Sequence, residues 1–146
     1  MTKIDRSALV PYTPAEMYAL VNDIEAYSQF LPWCRSTQVY SRDEEHVRAS
    51  IEIAKGPIHK SFTTHNKLEQ DKTITMQLVE GPFSHLEGTW RFNPIGENQG
   101  CRVSLTMEFE FSSKMIGLAL GPIFNEITST MVDAFCNRAR NYYGQR

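Results

Sequence analysis

Apolar and polar residues alternate along the middle of the chain, from Cys34 to Phe111. A period of two residues is typical of strands that turn one face to a core and the other to water. Turn signals interrupt the alternation at Arg42-Asp43, Gly56-Pro57, Gln70-Asp71, Gly81-Pro82 and residues 96–100. These interruptions predict six antiparallel strands, and the pattern from Ile4 to Val10 predicts one more strand before them.

The last predicted strand has the clearest pattern. Its apolar positions, which we expect in the core, are Cys101, Val103, Leu105, Met107, Phe109 and Phe111. Glu108 and Glu110 lie between them on the other face, with their carboxylates roughly 6.5–7 Å apart. A glycosidase could use a carboxylate pair at such a spacing. We prefer the simpler interpretation, in which both carboxylates are solvated on the outer face of the sheet.

Two short helices are predicted after the first strand. Thr13 is suited to the N-cap position and Pro14 to the first helical turn, and Glu16 completes a capping box with Thr13. Asp23 can cap a second short helix that runs through Tyr27.

The C-terminal part is predicted to be one long helix with an apolar stripe. Apolar residues recur there every three to four positions: Ile116, Leu120, Ile123, Ile127, Met131, Phe135 and Tyr142. Pro122 would remove one helical hydrogen bond and clash with the preceding turn, so we expect a kink or a restart near Gly121. From Pro122 to Tyr143 the helix would be about 33 Å long, enough to cross a small sheet.

Together these elements predict an α+β fold, in which a curved antiparallel sheet of about seven strands surrounds a long C-terminal helix. Such a sheet would turn roughly 25 to 30 side chains inward, more than one helix can cover. Either the sheet curls until it closes on itself, or a cavity remains between the sheet and the helix. Cavities of this kind often take an apolar ligand.

The composition fits one domain spanning residues 1–146. Of the 146 residues, 41% are hydrophobic and 22% are charged, which argues against disorder. A net charge of -2 denies the protein the positive field of general nucleic-acid binders, so we expect no DNA partner. The first residues lack the apolar segment of a secretory signal, and the longest apolar stretch is about half of the ~20 residues that span a bilayer. We therefore expect a cytoplasmic protein.

Several motifs occur in an order that is similar to one protein family: Leu9-Val-Pro-Tyr12, Phe30-Leu-Pro-Trp-Cys34, Gly81-Pro-Phe83, Leu86-x-Gly88-x-Trp90-x-Phe92 and Met131-Val-x-Ala-Phe135-x-x-Arg-Ala. They cover nearly the whole chain, and together they resemble the coenzyme-Q-binding branch of the START-like polyketide cyclase/dehydrase superfamily. Ser28 departs from the pattern, because the family commonly has proline there.

The resemblance implies a helix-grip fold, in which the sheet holds the C-terminal helix, and a role without catalysis or a required cofactor. Members of the family are described as binding ubiquinone or a related lipid and as supporting respiratory electron transfer. One member is described instead as binding the large ribosomal subunit and blocking its association with the small subunit. None of the matching positions identifies which of these roles applies.

A pocket between the sheet and the helix would be lined mainly by aromatic, methionine and aliphatic side chains. The candidate ligand-binding residues are Phe30, Trp33, Thr64, Asn66, Met76, Phe83, Trp90, Met107, Leu120, Phe124, Ile127 and Met131. Among them we favour Phe30, Trp33, Phe83 and Trp90 for contact with a flat ring, because they lie near loops that could form an opening.

Two polar residues, Thr64 and Asn66, are predicted on the core side of their strand between Phe62 and Leu68. Buried without partners, each would cost about 1–3 kcal/mol. A quinone carbonyl is one candidate partner, whereas neighbouring backbone or buried water is the more common one.

Residues suited to metal or nucleophilic chemistry are scattered along the sequence. The histidines, His46, His59, His65 and His85, show no spacing typical of metal ligands, and the three cysteines form no C-x-x-C pair. The sequence also lacks a nucleophile elbow and a glycine-rich phosphate loop. We therefore expect no metal site, no catalytic residues, and buried, reduced thiols.

Two further segments could contact a partner. Residues 114–124 are apolar on nearly all sides, which predicts either a buried segment, our preferred interpretation, or a gate or a patch that dips into a bilayer surface. Lys55 and Lys60 lie on one predicted hairpin, and Arg138 and Arg140 lie near the end of the chain. Either pair could contact phosphate on ribosomal RNA or on lipid headgroups, although such charges are usually only solubilising.

Three hypotheses about function follow. We prefer a non-catalytic protein that binds ubiquinone or a related lipid, in the cytoplasm or peripherally at the inner membrane, and supports respiration. The alternative is a protein that binds the large ribosomal subunit and blocks its association with the small one. A cyclase-type enzyme ranks last, because only the superfamily suggests it and function does not follow from fold. The preferred hypothesis requires a hollow interior.

Overall fold

The strands pair in a single antiparallel sheet in the computed structural model, which describes residues 1–97 and 99–146. The strands are β1 (Thr2–Val10), β2 (Cys34–Arg42), β3 (His46–Lys55), β4 (Ile58–Glu69), β5 (Thr73–Glu80), β6 (Phe83–Pro94) and β7 (Cys101–Phe111). Their order across the sheet is β1-β7-β6-β5-β4-β3-β2. Helix α1 spans Pro14–Asn22, a 3₁₀ helix spans Ile24–Gln29, and helix α2 spans Lys114–Tyr143. The predicted α+β helix-grip architecture is confirmed.

Helix α1 begins with the capping box expected from the sequence. The Thr13 hydroxyl accepts a hydrogen bond from the Glu16 amide at 3.1 Å, and the Thr13 amide donates to the Glu16 carboxylate at 3.0 Å. Asp23 precedes the 3₁₀ helix as expected, but its side chain makes no capping hydrogen bond. The first of the two predicted caps is therefore confirmed in full and the second only in position.

Irregularities in strand pairing bend the sheet around α2. The register shifts lie between Cys34 and Ser36, Val39 and Ser41, Thr63 and Thr64, and Phe83 and His85. Such bulges bend a strand and increase its twist. The sheet nevertheless stays open, because β1 and β2 lie at its two ends. The sheet's concave face must therefore be covered by α2 rather than by closure into a barrel.

The apolar stripe of α2 was predicted correctly except at its end. Its buried residues are Leu120, Gly121, Phe124, Ile127, Thr128, Val132, Phe135 and Ala139. Tyr142, the last residue of the predicted stripe, is 65% exposed. The stripe winds around the helix toward its C-terminal end, where α2 packs against α1 and β1. The neighbouring Tyr143 is half-buried instead and donates a hydrogen bond to the Glu16 carbonyl.

Pro122 does not restart the helix, contrary to one expectation from the sequence. Helix α2 is continuous through it from Lys114 to Tyr143. Proline has no amide hydrogen, so the Leu118 carbonyl, four residues before Pro122, loses its helical hydrogen bond. Both residues are exposed. Water can therefore satisfy that carbonyl, which makes the proline tolerable inside the helix.

Candidate ligand cavity and contact surfaces

A cavity lies between the concave face of the sheet and α2. The predicted residues that line it are Trp33, Thr64, Asn66, Met76, Trp90, Met107, Phe124, Ile127 and Met131. The lining residues that the sequence did not single out as ligand contacts are Ile24, Tyr27, Ala49, Ile51, Ile53, Phe62, Leu86, Gly88 and Thr128. Most of these occupy alternate strand positions, so the period-two pattern contained the signal that could have identified them.

Three predicted pocket residues belong to the packed core instead. Phe30 packs edge-on against Phe135 with 5.3 Å between ring centroids. Phe83 stacks on Phe111 at 5.2 Å, and Leu120 is 1% exposed. None of the three lines the cavity. Neighbouring aromatic rings fill the space around Phe30 and Phe83, so the predicted contact of these residues with a ligand stays a prediction.

The cavity is small. Its volume is about 50 Å³, whereas pockets for drug-sized ligands measure about 300–1,000 Å³. It could hold a few water molecules, since a single buried water needs roughly 10–15 Å³. A quinone ring does not fit without movement of the lining side chains. Met76, Met107 and Met131 are the most adaptable of them, because methionine is unbranched and flexible.

Thr64 and Asn66 are two polar residues of this mainly apolar cavity. They are 7% and 5% exposed, and the Thr64 hydroxyl donates a hydrogen bond of 2.9 Å to the Asn66 side-chain oxygen. Their predicted position on the core side is confirmed. Within the described residues the Asn66 side chain is bonded through its oxygen, and its amide nitrogen has no hydrogen-bond partner there. It is therefore a donor, on a buried residue, that is available to a ligand or to water.

The predicted contact cations do not form one free patch. Lys55 is paired with Glu126 of α2 at 2.5 Å. Arg138 donates to the Gln29 side chain at 3.2 Å, and its guanidinium lies 4.8 Å from the ring centroid of Phe30. These two cations therefore already have partners within the fold.

The other two predicted cations are more available to a partner. Arg140 is exposed, and among the described residues its side chain donates a hydrogen bond to the neighbouring Asn137 side chain at 2.9 Å. Lys60 is exposed at the β3–β4 hairpin and makes no ion pair with the described residues. Of the four predicted cations, Lys60 and Arg140 are therefore the two whose charge is free to meet phosphate.

The first turns of α2 expose an apolar surface, which contradicts the preferred prediction of a buried segment. Met115 and Leu118 are 80% and 81% exposed, and Ala119 and Pro122 lie on the same side of the helix. We call these four residues the exposed stripe. By length and composition α2 could cross a membrane, and 33% of its most apolar window is buried within the fold. The opposite side of these turns packs on Phe111.

The histidines pair across strands, which the spacing along the sequence did not indicate. His65 on β4 and His46 on β3 lie 3.1 Å apart through their ring nitrogens. His85 on β6 lies 3.3 Å from a carboxylate oxygen of Glu108 on β7. Glu108 and Glu110 project from the outer face as predicted. These two contacts join residues on neighbouring strands, so they could not be deduced from positions along the sequence.

The cysteines are poorly suited to covalent chemistry. Burial raises the pKa of the Cys34 thiol and of the Cys101 thiol to about 11, and it also raises the pKa of Cys136. A thiol with a raised pKa is largely protonated at neutral pH, and the protonated form is a poor nucleophile. The thiols are free rather than paired in disulfides, as expected.

Comparison with known proteins identifies the family. A family model described as polyketide cyclase/dehydrase and lipid transport matches residues 10–136. Two structures of similar fold are the 18 kDa protein CC1736 from Caulobacter crescentus (TM-score 0.76, 28% identity) and the Zhui aromatase/cyclase from Streptomyces (TM-score 0.83, 13% identity); each comparison covers 99% of both chains. At 13% identity the second shows the fold alone.

The most informative relatives carry two different names. The ribosome association toxin RatA of Vibrio cholerae is 49% identical over 99% of this chain and 100% of its own length. The protein of the same name from Escherichia coli K12 is 42% identical over 100% of this chain and 92% of its own. The mitochondrial coenzyme Q-binding protein COQ10 homolog B of Xenopus laevis is 28% identical over 96% of this chain and 59% of its own. The chain therefore belongs to the START-like polyketide cyclase/dehydrase family, in the branch that contains the RatA proteins.

Proposed function

We propose that this protein binds the large ribosomal subunit and hinders its association with the small subunit. One observation carries the proposal: relatives named ribosome association toxin are 42–49% identical to this chain over nearly its full length. The relative named for coenzyme Q binding is more distant, at 28% identity. The hypothesis that we ranked second from the sequence is therefore the better supported one.

The packed interior supports action through the surface. A cavity of about 50 Å³ holds no cargo of quinone size, so the fold as it stands offers a partner its exterior. The net charge is -2, which means that contact with polyanionic ribosomal RNA must use local cations. Lys60 and Arg140 are exposed and are not engaged in ion pairs with the described residues. We expect these two to contact RNA phosphate.

Sucrose-gradient profiles of ribosomes with added protein test this proposal. The unaltered protein is expected to raise the share of free subunits at the expense of whole ribosomes. The double variant Lys60→Glu/Arg140→Glu should require several-fold more protein for the same effect. Each lost phosphate contact should also lower the salt dependence of binding to purified large subunits, reducing the slope of log K against log salt by about 1.

Lys72→Glu is the matched control, because Lys72 is also exposed but lies in the β4–β5 turn. It changes the net charge by the same amount per site and should leave the profile unchanged. Unaltered ribosome profiles at saturating protein would exclude the proposed function. Equal losses in the control and in the double variant would exclude a specific role for Lys60 and Arg140.

Binding of ubiquinone or a related lipid is the second candidate function, and the Asn66 amide favours it. This donor belongs to an apolar cavity and has no partner among the described residues, and a head-group carbonyl could accept its hydrogen bond. Burying about 300 Å² of isoprenoid tail gains roughly 7–8 kcal/mol against water, but a bilayer offers the tail the same gain. Affinity for the quinone over a bilayer must therefore come from contacts with its head group. These contacts can form only after Met76, Met107 and Met131 have moved to enlarge the cavity.

Asn66→Leu should weaken binding of a short-chain ubiquinone by about tenfold, because it removes one buried hydrogen bond without a large change in volume. Quenching of Trp33 and Trp90 fluorescence, two tryptophans that line the cavity, measures the binding. Thr128→Val is the control, because Thr128 lines the same cavity but its hydroxyl already donates a hydrogen bond to the Phe124 carbonyl. Absence of quinone from solvent extracts of the purified protein, together with no quenching, would remove this candidate.

A further inference from the structure

One histidine and two glutamates lie close together on the face of the sheet opposite the cavity. His85 and Glu87 belong to β6 and Glu108 belongs to β7. The His85 Nε2 atom is 3.3 Å from Glu108 Oε1 and 4.0 Å from Glu87 Oε1. One ligand atom from each side chain lies within 4.8 Å of the other two. The register shift between Phe83 and His85 sets which β7 residues His85 meets.

These distances are close to those that a tetrahedral metal ion requires. Zinc binds histidine nitrogen and carboxylate oxygen at about 2.0–2.2 Å, which places tetrahedral ligand atoms roughly 3.3–3.6 Å apart. The side chains of His85, Glu87 and Glu108 are 35%, 47% and 33% exposed. These partly exposed side chains can therefore rotate slightly to bring their ligand atoms to the distances that zinc requires. A water molecule can reach the fourth coordination position of the ion.

The charges at this place are unbalanced. Glu87 and Glu108 are direct cross-strand partners, and like charges in that arrangement are destabilising. Lys3 is the β1 partner of Glu108. Within residues 1–97 and 99–146, however, the ion pairs include no lysine or arginine nitrogen within 4.0 Å of either carboxylate. A bound cation would remove this repulsion.

We propose that His85, Glu87 and Glu108 form a binding site for a divalent transition-metal ion, with zinc as the best fit. A site with one imidazole and two carboxylates suits zinc and its neighbours better than magnesium or calcium, which prefer ligand sets made only of oxygen. The bound ion would tie β6 to β7 on the outer face of the sheet. This site is independent of the ribosome and lipid proposals.

Calorimetric titration of the full chain with zinc chloride tests the site, and the visible absorption of bound Co²⁺ provides a second measurement. We expect one zinc ion per chain, no comparable heat from magnesium chloride, and a melting temperature that rises with zinc concentration. His85→Asn and Glu108→Gln should each weaken zinc binding by roughly 10- to 100-fold. Thermal melts without metal establish that both variants are folded.

Two histidine variants serve as controls. His59→Asn removes an exposed histidine on the β3–β4 hairpin, and His46→Asn breaks the other cross-strand pair. Both should bind zinc like the unaltered protein. Absence of zinc binding at millimolar concentration, or binding that survives His85→Asn, overturns the proposal. Loss of binding in His46→Asn also overturns it, because the ion would then lie on β3 and β4.

Discussion

Replacing Phe135 with alanine should lower the free energy of unfolding by about 3–5 kcal/mol, the usual cost of removing a buried aromatic ring. Phe135 is fully buried on α2, and its ring centroid lies 5.4 Å from that of Tyr27 and 5.3 Å from those of Phe30 and Trp90. These edge-on contacts join the long helix to β6 and to the loop before β2. The cavity left by alanine would remove contacts between α2, β6 and the segment before β2 at the same time.

Urea denaturation followed by circular dichroism measures this loss. Tyr142→Ala is the matched control, because it removes an aromatic ring from the same helix at a position that is 65% exposed. We expect the control to change the free energy of unfolding by no more than about 0.5 kcal/mol. Similar losses in the two variants would mean that α2 does not pack on the sheet through Phe135.

Gly100→Ala should cost about 3 kcal/mol or more, for a different reason. Gly100 precedes β7 and has a φ of +117°, in a region that residues with a side chain rarely adopt. A Cβ atom there would overlap the backbone carbonyl oxygen of Val10 at the end of β1. A backbone atom cannot rotate away, so the Val10 to Cys101 pairing of β1 with β7 must shift.

Gly56→Ala separates the two causes of that cost. Gly56 also has a positive φ, of +58°, but no atom lies within 4 Å of the position that an alanine Cβ would take. This control should therefore show only the backbone penalty, about 1–2 kcal/mol. Urea midpoints of the two variants give the difference. If Gly100→Ala were no worse than Gly56→Ala, the close approach of β1 to Gly100 would be incorrect.

The strands could be predicted well because the alternation of apolar and polar residues that produces each strand lies within a few consecutive residues. The alternation of Val103, Leu105 and Met107 with polar residues encodes both the strand and its buried face, and the structure buries all three. The same pattern placed Thr64 and Asn66 inward correctly. The capping box at Thr13 was equally predictable, because all of its atoms lie within four consecutive residues.

Features that depend on distant parts of the chain were missed. The Lys55–Glu126 pair joins residues 71 positions apart, so the sequence could not show that the charge of Lys55 is already matched. The approach of His85 to Glu108 depends on a bulge and on the pairing register of β6 with β7. Neither can be deduced from the spacing of histidines alone.

The cavity volume and the exposed stripe were also beyond prediction, because both depend on where the sheet ends relative to α2. A list of inward side chains does not tell whether they meet. In the structure the inward side chains nearly fill the space between the sheet and α2, and a cavity of about 50 Å³ remains. Met115 and Leu118 are as apolar as core residues, yet they lie on the side of the helix that the sheet does not cover.

The pairing of β1 with β7 also bears on when the fold can form. Thr2 of β1 is aligned with Phe109, and Val10 with Cys101, so the first strand must wait for a partner that is translated about a hundred residues later. Such long-range pairings form slowly. During translation, the nascent polypeptide cannot complete its sheet until β7 has left the exit tunnel. If the finished protein acts on ribosomes, this delay would postpone its activity at least until β7 has emerged and paired with β1.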